Sequence, residues 1–414
     1  MIKKILVLGI GQNNFLSFLY SNLKKYDKNV SISAPFFVEI NKESKNDSWM
    51  YNNVGIKKGK SFFSIINAIV FCLFSKHFFQ IFFFILFVEG KISKALHFCL
   101  KQIEAKNFFA QNNDFKEFDT FHFHFMQYSY LRELFLVPKN KKIVCSFWGS
   151  DLLRTNDILN FYFVKKALNR ATIITCQSSE LKEIIVSKFG RNLHDKISVI
   201  IFPIHQDTYK KINLNSNNVE GINSFKQKYN YSEDKINVLI GHNGSRSNNH
   251  LEIIKALQNL KNKNKIHLVI NLNYAITEKE KSTYKIELNN VLTKLGCSFI
   301  ILENFFVEDE LAISRLASDV FIHTPISDAL SATMLELLYA SNIVITGSWL
   351  PYKTFRKANL VYTEINQFEE LATQLDLILD HFDSEKVKLI NNKEAIEAYF
   401  FDESIIQQWT QILS

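Results

Sequence analysis

The chain has 414 residues, too many for one ordinary core, and its 47% hydrophobic content is enough to fill two. Its net charge of +8, from 49 Lys and Arg against 41 Asp and Glu, suits an anionic ligand or an anionic membrane surface and does not by itself argue for nucleic acid. The five cysteines are odd in number and lack CxxC spacing, which speaks against a disulfide frame or a cysteine metal site and fits small buried side chains in a reducing cytoplasm.

Met1–Gly11 starts with charge, but its apolar run is short and ends in a glycine turn. This predicts a first strand, Ile2–Leu8, and no secretory signal. Helical spacing over Phe15–Tyr26 and a second apolar run, Val30–Phe36, complete a βαβ unit and predict a parallel sheet. The connecting turn is G-x-G-x-x-N, and no acid closes the second strand, so a dinucleotide site is not expected there. Ser61–Leu100 holds two apolar runs, SFFSIINAIVFCLF and FFQIFFFILFVEG. Each is shorter than the roughly 18–20 residues that span a bilayer. Lys57, Lys58 and Lys60 precede them and Lys91, Lys94 and Lys101 follow. Two buried helices, or a helical hairpin dipping its apolar face into a membrane with lysines on anionic headgroups, both fit this pattern.

Four strands follow: Asp119–Phe125 (DTFHFHF), Lys142–Phe147, Ala171–Cys176 and Ile197–Phe202. Residues 207–235 are polar and have a linker composition. The alternation restarts with strand Ile236–Ile240, helix Leu251–Lys261, strand Ile266–Asn271, a polar helix near Glu278–Leu295 and strand Ser298–Leu302. A helix over Glu308–Ala317 leads to VFIHTPISDALSATMLELLYASNIVITGSW, Val320–Trp349, which reads as strand, polar turn, helix and strand. Val361–Thr363 is a last strand and Ile405–Leu413 a last helix. The expected fold is α/β: two Rossmann-like domains in tandem facing each other across a cleft, with ligands at the C-terminal ends of the strands. The first domain is 1–205, with a C-terminal helix of about 396–414 available to pack back on it. Residues 206–235 form the linker and 236–395 the second domain.

Four stretches carry candidate chemistry. Asp328 and Glu336 stand eight positions apart around a turn-to-helix junction, with Ser331, Ala332 and Thr333 between them. First-turn N–H groups at such a terminus suit a diphosphate, a carboxylate further in suits ribose hydroxyls, and the earlier carboxylate suits a sugar. The turn Gly241-His-Asn243-Gly244-Ser245-Arg246-Ser-Asn-Asn249 follows a strand and opens a helix. Its glycines allow close backbone approach and Arg246 offers a phosphate fork, although a solvated βα loop has the same composition. In Glu303–Val307 the backbone near Val307 could pair with a nucleobase edge, whereas Phe305 and Phe306 also suit core packing. In the first half, His124 and the Trp148–Asp151 turn lie at neighbouring strand ends, where His124 and Asp151 could serve as general base or acceptor-sugar contacts. No D-x-D and no His/Cys cluster with ligand spacing occurs, so neither a metal nor another cofactor is expected.

With these residues in place, the chain resembles the GT-B glycosyltransferases related to family 4, through the two-domain layout, the D-x7-E at Asp328–Glu336 and FFVEDEL. That family usually carries Glu at the first acidic position, where this chain has Asp328. A narrower resemblance links FHFHFMQYSYL, SFWGSDL, IIFPIHQD and VLIGHNGSRSNNHLEIIKAL to the 4-acetamido-4,6-dideoxygalactose transferases of enterobacterial common antigen assembly, over about 118–350. The resemblance implies a nucleotide-diphosphate sugar donor and a polyprenyl-diphosphate-linked glycan acceptor at the inner face of the cytoplasmic membrane. It places Gly241–Ser245, Arg246 and the Ser331–Thr333 N–H groups at the diphosphate, Glu336 on the ribose, and His124 and Asp151 on the acceptor side. A nucleotide-sugar 2-epimerase on the same fold, or a non-catalytic nucleotide-sugar or membrane-binding scaffold, are the rival expectations.

Overall fold

A computed structural model describes residues 2–10, 16–37, 51–58 and 62–414. Gly11 and Asn14 of the first glycine turn, and Lys60, lie outside the described residues. The chain divides into two compact units, Met1–Pro203 with Glu403–Ser414, and Ile204–Asp402.

The first unit is built on strands β1 (Lys3–Gly9), β2 (Val30–Ser33), β3 (Thr120–His124), β4 (Lys142–Ser146), β5 (Ile173–Cys176) and β6 (Ile197–Val199). They form one parallel sheet in the order β2-β1-β3-β4-β5-β6. Every residue of β3 is buried, which is how a central strand behaves when helices cover both sheet faces. The alternation in TFHFH therefore separates two buried faces. On the histidine face, Tyr20 from the helix Leu16–Tyr26 donates or accepts at His122 Nδ1 (2.9 Å) and His124 Nε2 (2.6 Å). His122 Nε2 continues to Ser146 Oγ at 2.7 Å, and Ser146 to Thr175 at 2.6 Å. The last helix, Ser404–Leu413, closes this face: Trp409 is fully buried beside His122 and stacks on Phe202.

The apolar segment forms three helices, Phe62–Leu73, Lys76–Glu89 and Ile92–Gln111. Ser75 caps the second by accepting from Phe78 N–H, and Gly90 ends it in the left-handed conformation, φ 64°. Ile81, Ile85, Ala95 and Phe98 pack with Leu159 and Phe163 into a small core of their own. Much of the rest faces outward: Phe62, Phe63, Phe83, Ile92, Leu96 and Leu100 are all exposed, and Phe74 and Phe87 are 88% and 89% exposed. Among the described residues no single helix is long and apolar enough to cross a membrane, and Ile65–Leu73 meets Phe78–Glu89 at 74°.

The second unit repeats the scheme with β7 (Ile236–Ile240), β8 (Ile266–Asn271), β9 (Ser298–Leu302), β10 (Val320–His323), β11 (Ile343–Gly347) and β12 (Thr363–Ile365). The parallel order is β12-β11-β10-β7-β8-β9. The polar stretch expected to be a linker is two helices of this unit, Asp207–Asn215 and Val219–Lys228. A few apolar anchors hold them: Tyr209 is buried against Tyr339 and Phe401, and Phe225 packs on Phe306. Lys211 and Lys228 add ion pairs to Glu308 (3.2 Å) and Glu310 (2.8 Å) on the helix Glu308–Leu316.

Candidate functional site

The order of the second sheet reverses between β7 and β10, and the loops leaving their C-terminal ends diverge there. This is the topological switch point at which open α/β sheets bind ligands. The two loops are tied together by Ile326 N–H to the Ser247 carbonyl (2.9 Å) and Asn249 Nδ2 to the Thr324 carbonyl (2.8 Å).

The loop after β7 has a conformation imposed from inside the unit. Gly241 has φ +65° and lies against the His250 imidazole, so a Cβ would collide with it. A Cβ at Gly244 would collide with Ile276. The glycines thus serve close packing within the domain, where sequence alone suggested room for a ligand. Asn243 is buried and its Oδ1 accepts from Ser245 N–H (2.9 Å) and Asn248 Nδ2 (2.8 Å), while Ser245 Oγ lies 2.8 Å from Ser247 Oγ. Arg246 turns to the helix Glu278–Leu295: its guanidinium bonds both oxygens of Glu287 at 2.8 Å and lies over the Tyr284 ring. In this geometry its fork is occupied by a carboxylate.

The loop after β10 carries Asp328. Its Oδ2 accepts from the Tyr352 hydroxyl (3.0 Å) and lies 3.2 Å from His323 Nε2, and its Oδ1 accepts from Ala329 N–H (2.7 Å). His323 and Tyr352 are fully buried, and the His242 ring stands 5.5 Å from that of His323. Burial pushes the Asp328 carboxyl upward, but the hydrogen bond and charge of His323, then His242 and Ala329 N–H, outweigh it and hold the group below its usual range. Asp328 is therefore a fixed carboxylate. Sequence reasoning missed both His323 and Tyr352; the only local signal was a histidine ending an apolar strand.

Ser331 caps the helix Ala332–Tyr339 by accepting from Met334 N–H at 3.2 Å. Ala332 is exposed and Thr333 half-buried, and as first-turn residues their N–H groups have no carbonyl one turn back. Glu336, one turn further in, is held by Arg315 of the preceding helix, whose Nε (2.9 Å) and Nη2 (2.8 Å) both reach Oε2. Oε1 stands outside that pair. Arg315 was another residue that sequence spacing did not single out.

In the loop after β9, Phe306 is buried and Phe305 is exposed, edge-on to Tyr274 at 5.6 Å. Val307, half exposed, precedes the helix Glu308–Leu316. Glu303 pairs with Lys285.

In the first unit, His124 is fully buried with both ring nitrogens engaged, by Tyr20 and by Trp148 Nε1–H (3.2 Å). Burial, reinforced by His122, lowers its pKa well below that of a free histidine. Asp151 is also buried and accepts from the N–H groups of Met126 (2.7 Å), Trp148 (2.9 Å) and Gly149 (2.9 Å). Burial raises its pKa to about 6 against the pull of those bonds. The geometry makes both side chains organisers of the loops after β3 and β4. Among the described residues no group of three or more His, Cys, Asp or Glu has the arrangement to hold a metal ion.

No family model matches this chain, and no curated protein matches it. Solved structures do. A crystal structure of Anabaena HepE in complex with UDP covers 99% of this chain and 99% of its own, at 13% identity and a TM-score of 0.67. A glycosyltransferase from Rickettsia africae covers 99% and 97% at 16% identity, TM-score 0.67. This chain has the GT-B fold. A sucrose-phosphate synthase from Thermosynechococcus elongatus shares that GT-B architecture at 12% identity, with 99% and 98% coverage and a TM-score of 0.65.

Proposed function

We propose that the chain is a glycosyltransferase that moves a sugar from a nucleotide-diphosphate sugar to a glycan acceptor without a metal. The observation that carries this is the polar constellation at the β7/β10 switch point of a GT-B fold, where Asp328, the Ala332 and Thr333 N–H groups and Glu336 follow one another along one loop and helix. The structurally similar HepE was crystallised with UDP and with UDP-glucose, which supports a nucleotide-sugar donor. In this reading the two N–H groups hold the diphosphate, joined by Arg246 once it leaves Glu287. Glu336 takes ribose hydroxyls through Oε1, Asp328 takes sugar hydroxyls, and the backbone near Val307 faces the base. Preorganised donors then stabilise charge on the departing diphosphate. His124 and Asp151 act as positioning residues for the loops after β3 and β4.

The acceptor in this proposal is lipid-linked, and the work is assembly of a surface polysaccharide or oligosaccharide, as in the 4-acetamido-4,6-dideoxygalactose transferases whose motifs the sequence resembles. The protein is peripheral on the inner face of the cytoplasmic membrane. The exposed phenylalanines of the first two apolar helices, with Ile92, Leu96 and Leu100 of the third, support that placement. The test is a thermal-shift screen with UDP-, dTDP- and GDP-sugars, run with and without excess EDTA. A bound donor raises the melting temperature by mass action, by about 2.7 kcal/mol of added stability at a hundredfold excess over Kd. No shift with any nucleotide sugar, or a shift abolished by EDTA, sinks the reading.

A further inference from the structure

A continuous line of hydrogen bonds crosses the first unit from Trp148 to Thr175. Trp148 Nε1 lies 3.2 Å from His124 Nδ1, and His124 Nε2 lies 2.6 Å from the Tyr20 hydroxyl. That hydroxyl lies 2.9 Å from His122 Nδ1, His122 Nε2 lies 2.7 Å from Ser146 Oγ, and Ser146 Oγ lies 2.6 Å from Thr175 Oγ1. Tyr20, His122, His124 and Ser146 are fully buried, so bulk water does not set their proton positions.

The indole sets them instead. An indole N–H only donates, so His124 Nδ1 must be the bare, accepting nitrogen. Burial keeps both imidazoles neutral at pH 7: it lowers His122 to about 3 and, with His122 alongside, holds His124 well below the ordinary range. A neutral His124 that accepts at Nδ1 carries its proton on Nε2 and donates it to Tyr20. The single proton of Tyr20 is then left for His122 Nδ1, because an unmade donor on a fully buried phenol is costly. His122 donates from Nε2 to Ser146, and Ser146 donates to Thr175. A His124 protonated on Nδ1 would set two donors face to face at the indole.

Trp148 is thereby held twice. Its main-chain N–H donates to Asp151 Oδ1 at 2.9 Å and its indole N–H to His124. It stands just beyond β4, at the sheet edge where open α/β folds take ligands. We infer that Tyr20 is a positioning residue for Trp148: a one-way relay locks His124 and His122 as Nε2–H tautomers and holds the indole at that edge. This role is independent of which group the chain transfers.

NMR of protein labelled with 15N-histidine reads each tautomer from the two ring-nitrogen shifts, and His122→Asn and His124→Asn supply the assignment. Both rings of the wild type at pH 7 are expected to be neutral and protonated on Nε2. An Nδ1–H or cationic form of either ring overturns the inference, and this measurement needs no Tyr20 variant to fold. Tyr20→Phe removes the bridging hydroxyl and keeps the ring. It is expected to speed hydrogen exchange of the Trp148 indole N–H by about tenfold, the scale of one net hydrogen bond. The Trp409 indole N–H, which donates to the Ile201 carbonyl in the same unit, is the internal control and should change by less than about twofold. Unchanged exchange at Trp148, or equal acceleration at Trp148 and Trp409, overturns the positioning role, since the second outcome is general loosening of the unit.

Discussion

Arg315 holds Glu336 through two nitrogens on a single carboxylate oxygen, at 2.9 and 2.8 Å, with both side chains largely buried. The pair joins the helix before β10 to the helix after it and leaves Oε1 outside the pair. Breaking a buried pair strands a charge and costs about 3–5 kcal/mol. Arg315→Met is thus expected to destabilise the second unit by about 3 kcal/mol, whereas Glu336→Gln costs less because its amide still accepts from Arg315. Both weaken nucleotide binding, Glu336→Gln by about 1.5–3 kcal/mol, the range for bonds to charged groups. Urea denaturation and calorimetry on the two variants separate these effects. Equal stability loss with unchanged nucleotide affinity would make Glu336 purely structural.

Arg246 reaches a diphosphate only by releasing Glu287. That ion pair is exposed on both sides, and such pairs are worth about 0.2–1 kcal/mol, less than a charge-assisted bond to phosphate at about 1.5–3 kcal/mol. The exchange is therefore favourable. Glu287→Ala is expected to tighten nucleotide-diphosphate binding up to about fivefold, and Arg246→Ala to weaken it by about twofold to a hundredfold. If calorimetry finds neither change, Arg246 stays with Glu287 and has no part in the donor site.

The first unit should lose stability in mild acid. Burial lowers His122 to about 3, and burial with the neighbouring His122 holds His124 well below the ordinary range, while an unfolded histidine titrates near 6.5. Below pH 6.5 the unfolded chain binds the extra protons, so each histidine removes about 1.4 kcal/mol per pH unit as the pH falls. Asp151 runs the other way: raised to about 6 when folded, it holds its proton more tightly than in the unfolded chain, and its contribution is lost as pH rises toward 6. Two histidines outweigh one aspartate. Melting curves at pH 7, 5.5 and 4.5 are expected to fall steadily, with a shallower slope in His122→Asn. Parallel slopes for variant and wild type contradict this. Asp151→Ala removes the acceptor of three backbone N–H groups and should lower stability and turnover with little change in donor affinity.

The exposed apolar helices predict lipid binding. Phe74 and Phe87 face outward almost completely, and burying a side chain of that size is worth about 1.5–3 kcal/mol. The double variant Phe74→Ser/Phe87→Ser is expected to reduce flotation with phosphatidylglycerol vesicles by about a hundredfold in partition coefficient. High salt should weaken binding of the wild type, through Lys57, Lys58 and Lys91, without abolishing it. Recovery of the wild type in the unbound fraction at every salt concentration would contradict lipid binding by these helices.

Strand positions were legible because most strands are short apolar runs between polar segments, and β7, β8 and β9 fall on the expected residues. The last strand sits two residues later than Val361–Thr363 suggested, at Thr363–Ile365, because its pairing with β11 decides the register and three residues carry little pattern. The helices of 207–228 were hidden since Tyr209, Ile212 and Phe225 are too few to mark a period. In the candidate site, Asp328, Ser331 and Glu336 were visible because they lie within one turn and helix. Arg315 lies 21 residues before Glu336 and Glu287 lies 41 after Arg246, and no local pattern announces such partners. His124 and Asp151 were misjudged for exposure, because a strand end in a doubly covered sheet looks the same in sequence whether it meets solvent or a helix.

The helix Ser404–Leu413 gives the molecule an unusual order of assembly. Trp409 lies against His122 and Phe202 and donates to the Ile201 carbonyl at 2.9 Å, so the first unit lacks part of its wall until residue 409 has emerged from the ribosome. The second unit needs nothing beyond Asp402. Synthesis runs from the N-terminus, yet the N-terminal unit is the one that finishes last. Through that interval its exposed apolar helices and its unsealed histidine face are present together on one chain.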